Sequence, residues 1–160
     1  MPPAAPIDTT TPGTMVSGTT ALHAVIYASR FTGLRHPSID ACVAEILPAS
    51  KGRNRQANIS GALLACDGWF LQALEGRRID VEHTLRRIER DPNHHAIRRI
   101  ASGPIAERRF GAWRMCAAVL SPTDQAIIRT LAGSGRFDPA TMDAAAALRL
   151  LQAVARLQSA

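Results

Sequence analysis

The stretch Ile59–Gly76, ISGALLACDGWFLQALEG, decides the fold of this chain. It consists of two short apolar runs joined at Asp67-Gly68, and an Asp-Gly pair between apolar runs is among the strongest sequence signals for a two-residue β-hairpin. Side chains alternate between the two faces of a strand, so the second run places Phe70, Gln72 and Leu74 on one face. The hairpin therefore predicts a single polar side chain, Gln72, between two apolar neighbours.

The amide of Gln72 needs polar partners if that face is buried. A primary amide has two donor hydrogens and an acceptor oxygen, and burying it unpaired costs roughly 2–7 kcal/mol. Another strand, a buried water or a bound ligand could each supply the missing hydrogen bonds. The residues alone leave these alternatives open.

Composition limits the class of protein. The chain has 160 residues, 46% of them apolar, with no apolar run approaching the ~18 residues that cross a bilayer. This predicts one soluble, cytoplasmic domain with extensions: a disordered segment at 1–20, a domain at 21–120 and a helical extension at 121–160. Three cysteines without a C-x-x-C pair argue against a disulfide framework or a zinc site, and the adjacent His94-His95 are poorly spaced to bind one metal.

The net charge of +6 raises the alternative of an interaction or nucleic-acid-binding module that binds no small ligand. The arginines, however, fall in scattered pairs, and only four Phe, two Trp and one Tyr accompany them. These are too few for an obvious base-stacking surface. A solvated basic surface is the favoured interpretation.

Periodicity predicts the remaining elements. A β-type run at 22–29 contains the only tyrosine, Tyr27, and is followed by an amphipathic helix that Ser38 caps and Pro48 interrupts. A polar loop at 51–58, a second helix through Ile88 that ends at Asp91-Pro92, a strand at 96–102 broken by Gly103-Pro104, a strand at 112–120 and two C-terminal helices complete the series. The order β-α-β-β-α-β plus one strand predicts an α+β, ferredoxin-like (split βαβ) fold: a five-stranded mixed sheet with two helices on one face.

Several of these segments together resemble the BLUF family of blue-light sensors that use flavin. The resemblance covers roughly residues 22–120, and both the residues and their order match the family pattern. The matching pieces are IYASR with Tyr27, SKGRN with Asn54, the hairpin with Gln72, IERDPNHH with Arg90 and His94, and RRFGAWRM with Trp113 and Met115. The chain departs from the family pattern at Pro48, Arg53 and Cys66.

The resemblance implies a non-covalently bound FAD, with FMN as an alternative, between the two helices. Ile46 and Ile88 would flank the ring, and Asn54 would bind its C4 carbonyl and N3 edge with Arg53 close by. Gln72 would bind the ring at N5/O4, between the ring and Tyr27. The residues expected near the ribityl and phosphate end are Arg90, Asp91, Asn93 and His94. No metal is implied.

The resemblance also implies a photocycle rather than an enzymatic reaction. Blue light would drive electron and proton transfer from Tyr27 to the flavin, after which Gln72 would rotate or tautomerise and change its hydrogen bond to the ring. Trp113 and Met115 would report the change. The tail is similar to the helical extension of short members that form oligomers, so we expect a homo-oligomer that signals to a separate protein, without membrane or nucleic acid.

Overall fold

A computed structural model describes residues 21–111, 116–131, 133 and 135–157 of the chain. The predicted pair Trp113 and Met115 lies outside these residues, as does the segment 1–20. The strands are β1 (Leu22–Phe31), β2 (Ser60–Cys66), β3 (Trp69–Arg77), β4 (His94–Ile105) and β5 (Cys116–Val119). The helices are α1 (Ile39–Gln56), α2 (Arg78–Glu89), α3 (Pro122–Leu131) and α4 (Ala144–Leu157), with a short 3-10 helix at Pro139–Thr141.

The strands form one sheet in the order β4-β1-β3-β2-β5. The first four strands in this order pair antiparallel with one another, and the short β5 pairs in parallel with the outer edge of β2. Because β3 lies between β1 and β2, helix α1 connects two strands that run in the same direction, and α2 does the same for β3 and β4. The α+β class predicted from the sequence is confirmed.

The β2–β3 hairpin forms as its sequence predicts. Asp67 and Gly68 both have positive φ, 52° and 76°, and Cys66 pairs with Trp69 across the turn. Asp and Gly are residue types that tolerate this left-handed conformation. The turn thus fixes the register in which Gln72 of β3 lies between Tyr27 of β1 and Leu63 of β2.

The sheet has a hydrophobic core on each face. On one face, buried residues of α1 and α2, such as Val43 and Leu85, pack against Val25, Phe70 and Leu74 of the sheet. On the other face, α4 packs through a buried stripe against the opposite side of the same strands. That stripe consists of Ala147, Leu150, Leu151, Val154 and Ala155.

Helix α1 is longer than the sequence predicts. It continues through Pro48 and includes 51–56, which were expected to form a loop. Proline removes one helical hydrogen bond and disfavours the helix interior, but the turns on both sides are held by packing. Val43 before the proline and Asn54 after it are both buried, so tertiary contacts outweigh the local preference.

Strand β4 also continues where a break was expected. It starts at His94 and runs through Gly103-Pro104 to Ile105. Among the strands that the structure describes, it lies at an edge of the sheet and pairs with β1 alone. On an edge strand, proline is tolerated where the position of the backbone N–H faces away from the neighbouring strand. Pro104, which lacks an N–H, is accommodated in this way opposite His23.

Candidate functional site

A cleft of about 770 Å³ lies between α1 and α2 over the central strands. Its floor is formed by Leu63, Gln72 and Leu74 of the hairpin, and Ile46 and Ile88 of the two helices form part of its walls. Helices α1 and α2 pack on the same face of the sheet, so the cleft lies between them. Nine of the ten predicted cofactor-binding residues line this cleft: Ile46, Arg53, Asn54, Gln72, Ile88, Arg90, Asp91, Asn93 and His94.

The tenth residue, Tyr27, lies directly behind the floor. It is fully buried, and its phenolic O–H donates a hydrogen bond to the Oε1 atom of Gln72. The two residues are register partners on β1 and β3, so the strand pairing itself brings them together. Burial, assisted by the carboxylate of Asp91, raises the pKa of Tyr27 well above its ordinary value. The phenol therefore stays protonated and remains a donor to Gln72.

Gln72 connects this buried phenol to the cleft. Only 7% of its surface is exposed, and the exposed part lines the cleft, while its amide oxygen accepts from Tyr27. An amide is both donor and acceptor, so rotation about its last torsion exchanges the group presented on each side. The polar partner that the sequence required of Gln72 is, in part, Tyr27.

Asn54 comes from the last turn of α1. Its side chain is buried and lines the cleft, while its backbone carbonyl accepts from Ile59 N at 2.7 Å. This bond joins the end of α1 to the start of the hairpin. The preceding residue, Arg53, is exposed at the rim.

The connection from α2 to β4 supplies the polar end of the cleft. Asp91 Oδ1 accepts from Asn93 N at 2.9 Å, and the His94 Nδ1 atom lies 2.8 Å from Ser29 Oγ. The His94 ring also packs on Phe70, with 4.4 Å between ring centroids. Burial lowers the pKa of His94 to about 4, against a smaller opposing effect of Asp91, so the ring is neutral at pH 7.

One polar atom in this connection has no protein partner. Asn93 is only 5% exposed, and its Oδ1 atom accepts no hydrogen bond from any residue that the structure describes. Because Asn93 also lines the cleft, a hydrogen-bond donor of a bound molecule could satisfy this atom. The orphaned oxygen is an observation in favour of a ligand.

The cleft is positively charged. Four arginines from different elements line it: Arg35, Arg53, Arg87 and Arg90. None of them forms an ion pair within the described ranges, whereas Glu45 at the same rim contacts His36 at 3.4 Å. Partial burial, with the nearby charge of Arg53, lowers the pKa of Arg87. Uncompensated guanidinium groups of this kind favour an anionic ligand group such as phosphate.

Sequence reasoning missed several of these residues. Arg87 lies on a helix face that looked solvated, and Ser29, the partner of His94, was read only as the end of a strand. Leu63 and Thr84 were hidden among ordinary core positions. A signal existed for Leu63 only, because it is the register partner of Gln72 across the predicted hairpin.

Two classes of site are not found in the part of the chain that the structure describes. No cluster of His, Cys, Asp or Glu there could hold a metal ion. None of the helices described is long and apolar enough to span a membrane.

The cleft combines apolar walls, two buried amides, a buried phenol behind one amide and cationic groups at its rim, an arrangement suited to binding a ligand. The family described as "BLUF: Sensors of blue-light using FAD" matches residues 22–116, and the chain belongs to this family. The family binds flavin and is a class of photosensor, so the photoreceptor class predicted from the sequence is confirmed. The nucleic-acid alternative is not favoured.

Known proteins with light-sensing or BLUF descriptions are similar to this chain. The chain is 32% identical over 103 residues to photoactivated adenylate cyclase subunit alpha of Euglena gracilis, which covers 62% of this chain but only 10% of that relative. The structure is similar to BlrB, a BLUF protein, with a TM-score of 0.68 and 32% identity over 84% of this chain and 97% of BlrB. It is also similar to Klebsiella pneumoniae BlrP1 with FMN and cyclic diGMP, with a TM-score of 0.60 and 27% identity over 84% of this chain and 34% of BlrP1.

Proposed function

We propose that the chain is a blue-light photoreceptor that binds FAD non-covalently in the α1–α2 cleft and signals through its Tyr27–Gln72 pair. The observation that carries the proposal is the hydrogen bond from the buried Tyr27 phenol to Gln72, whose amide also lines the cleft. This arrangement connects a redox-active side chain to the ligand site through one reversible polar group.

The residues of the cleft fit a flavin. Ile46 and Ile88 would hold a flat ring between the helices, and the amides of Asn54 and Gln72 would bind its polar edges. The Oδ1 atom of Asn93 would accept from a hydroxyl of the ligand, and Arg90, Asp91 and His94 would lie along its ribityl and phosphate portion. Arg53 would lie at the exposed edge.

When bound, the flavin would supply the absorption of blue light. Tyr27 would then give an electron and its hydroxyl proton to the excited flavin, since only Gln72, to which the phenol is hydrogen-bonded, would lie between them. Gln72 would respond by rotating or tautomerising its amide, and its donor and acceptor would exchange places. The new hydrogen-bond arrangement would be the signalling state, because it is a bistable local element.

The proposed output is a protein contact rather than a reaction in this domain. The photoreceptor domain would span 21–120, and the extension 121–160 would mediate homo-oligomer formation and contact with a downstream partner. Exposed apolar side chains on α3 support this role, since Ile127 and Leu131 are 52% and 69% exposed and one helical turn apart.

Absorption spectra in the dark and after blue light test the proposal. The wild-type protein supplemented with FAD should be yellow, and its visible spectrum should shift under blue light and return in the dark. Gln72→Leu and Tyr27→Phe should keep the flavin and lose the shift, while the same Gln→Leu change at the exposed Gln56 should leave it intact. A colourless protein, or a normal shift in Gln72→Leu, would refute the proposed function.

A preference for flavins that carry phosphate can be tested through the arginines of the rim. Phosphate-bearing flavins, FMN and FAD, should bind more tightly than riboflavin, and Arg87→Gln should reduce this preference by about two- to fivefold, as expected for one partly exposed charge contact. Arg55→Gln is a matched control, because Arg55 is exposed and does not line the cleft. Equal affinity of riboflavin and FMN for the wild-type protein would contradict this assignment.

A further inference from the structure

Two carboxylates of the β2–β3 hairpin bind the chain on either side of β5. Glu75 lies near the open end of the hairpin and Asp67 lies in its turn. Their partners are the residues before β5, at 108–110, and the helix that follows β5, α3. The segment that contains β5 is therefore fastened at both ends to the strands that carry Gln72.

The first anchor is buried. Glu75 is 1% exposed, and its carboxylate accepts from Arg109 N at 3.0 Å, from Phe110 N at 3.0 Å and from Ser60 Oγ at 3.2 Å. The guanidinium of Arg108 donates to Ser60 Oγ at 2.8 Å and to the Glu75 carbonyl at 3.1 Å. A buried carboxylate requires several donors, so it fixes the turn from which the chain enters β5.

The second anchor is at the surface. Asp67 Oδ2 accepts from Arg129 Nε at 2.9 Å, and Oδ1 accepts from Arg129 Nη2 at 2.5 Å. The backbone N–H of Phe137 lies 3.4 Å from the same carboxylate. The hydrogen bond from Arg129 is also the main cause of the lowered pKa of Asp67. This two-point contact joins the hairpin turn to α3 and to the chain beyond it.

Between the anchors lies β5, which the structure describes at Cys116–Val119. It pairs in parallel with β2, where Ala117 is the register partner of Leu63. Leu63 is in turn the partner of Gln72, and Gln72 is the partner of Tyr27. One row of residues across the sheet thus runs from the buried phenol to β5, and Ala117 packs on the cleft side of the sheet.

We propose that Asp67 and Glu75 are positioning residues that hold β5 and α3 in register with this row, so that a change at Gln72 is transmitted to the C-terminal helices. The light-dependent part of this proposal rests on the proposed function. Neither carboxylate lines the cleft, so their removal should affect transmission and leave the photochemical residues in place.

Amide hydrogen exchange, read by mass spectrometry of the full chain with FAD, tests the anchors in the dark. Asp67→Asn retains a residue type that tolerates positive φ, so it isolates the loss of charge. It and Arg129→Gln should each raise exchange in α3 by about two- to fivefold, the range expected for one partly exposed pair. The double variant should show no further increase, since the same contact is lost.

Glu75→Gln should raise exchange at 109–110 and in β5 by about tenfold, because an amide NH2 group would face backbone donors in a buried site.

Asp80→Asn is the matched control for Asp67→Asn. It removes the Arg77–Asp80 ion pair, a surface contact of the same kind that lies away from β5, and should not change exchange in 116–131. Unchanged exchange in Asp67→Asn and Arg129→Gln, or an equal increase in Asp80→Asn, would overturn the anchor assignment.

The same variants under blue light test transmission. Wild-type protein should show a light-minus-dark difference in exchange in β5 and α3, and this difference should fall at least twofold in Asp67→Asn while the shift of the flavin spectrum keeps its size. A full exchange difference in that variant would overturn transmission through the anchor. Absence of any spectral shift in the wild type would instead refute the proposed function, and the dark comparison would still decide whether the anchors hold β5.

Discussion

Tyr27 and Gln72 should be energetically coupled even in the flavin-free protein. Tyr27 is fully buried, and its hydroxyl donates to the amide oxygen of Gln72. Tyr27→Phe removes that donor and little volume, which leaves a buried acceptor with one partner fewer. We expect a loss of about 1–3 kcal/mol in the free energy of unfolding, the cost of a buried polar group that loses its partner.

Gln72→Leu should cost a similar amount, because it leaves the phenolic O–H of Tyr27 without its acceptor in a fully buried site. The double variant replaces both polar groups by apolar ones. Its cost should therefore be smaller than the sum of the two single costs by about 1–2 kcal/mol. For a chain of this size, each kcal/mol corresponds to a change in Tm of about 2–4 °C.

Urea unfolding of the flavin-free wild-type protein and the three variants, followed by circular dichroism, gives the coupling energy. Gln56→Leu serves as the control, because Gln56 is exposed at the end of α1 and should change stability by less than about 0.5 kcal/mol. Strictly additive costs in the double variant would show that the two side chains do not interact in the folded protein. That result would remove the basis of the proposed photochemical pair.

Three further predictions concern packing, pH and the thiols. Gly61→Ala should destabilise the fold by about 1–3 kcal/mol or more in thermal unfolding, because its Cβ would lie 2.0 Å from the carbonyl oxygen of Ala73. Gly52→Ala, in the open interior of α1, should instead stabilise the fold by about 1 kcal/mol. Equal effects of the two variants would contradict the close approach of β2 and β3. His94 has a pKa of about 4 in the folded protein, below its ordinary 6.5, so the unfolded state binds more protons between these two pH values. The free energy of unfolding of the flavin-free protein should therefore fall as the pH drops from 6.5 to 4. His94→Gln should flatten this part of the plot of stability against pH. Burial raises the pKa of the Cys42 and Cys66 thiols to about 11. Mass spectrometry should therefore show that both thiols resist iodoacetamide in the native protein at pH 7.5 and react with it in urea. Rapid labelling of Cys66 in the native protein would show that this thiol is accessible.

The hairpin and the two-faced strands could be predicted from the sequence because their signals are local. Asp67-Gly68 fits only a narrow class of turns, and a one-residue slip of the register would turn Gln72 to the opposite face. Resemblance to the family supplied the ligand and the residues around it, and nine of the ten predicted binding residues line one cleft. Their individual roles stay predictions that the variants above test.

Other features were decided only by the tertiary structure. Pro48, Gly52 and Asn54 have low helix propensity, yet burial of Val43 and Asn54 keeps α1 continuous to Gln56. Pro104 is tolerated because β4 is an edge strand, a property that depends on the order of strands in the sheet.

The sequence by itself determined the class of fold, the turn that sets the register, and an amide at Gln72 that required a polar partner. The tertiary structure alone decided which distant groups meet: the phenol of Tyr27 at that amide, the orphaned oxygen of Asn93 in the cleft, and the contacts of Asp67 and Glu75 around β5. The physical reason is range. Turn and strand preferences act between neighbours in the chain, whereas these contacts join residues more than 30 positions apart and form only when the sheet has brought them together.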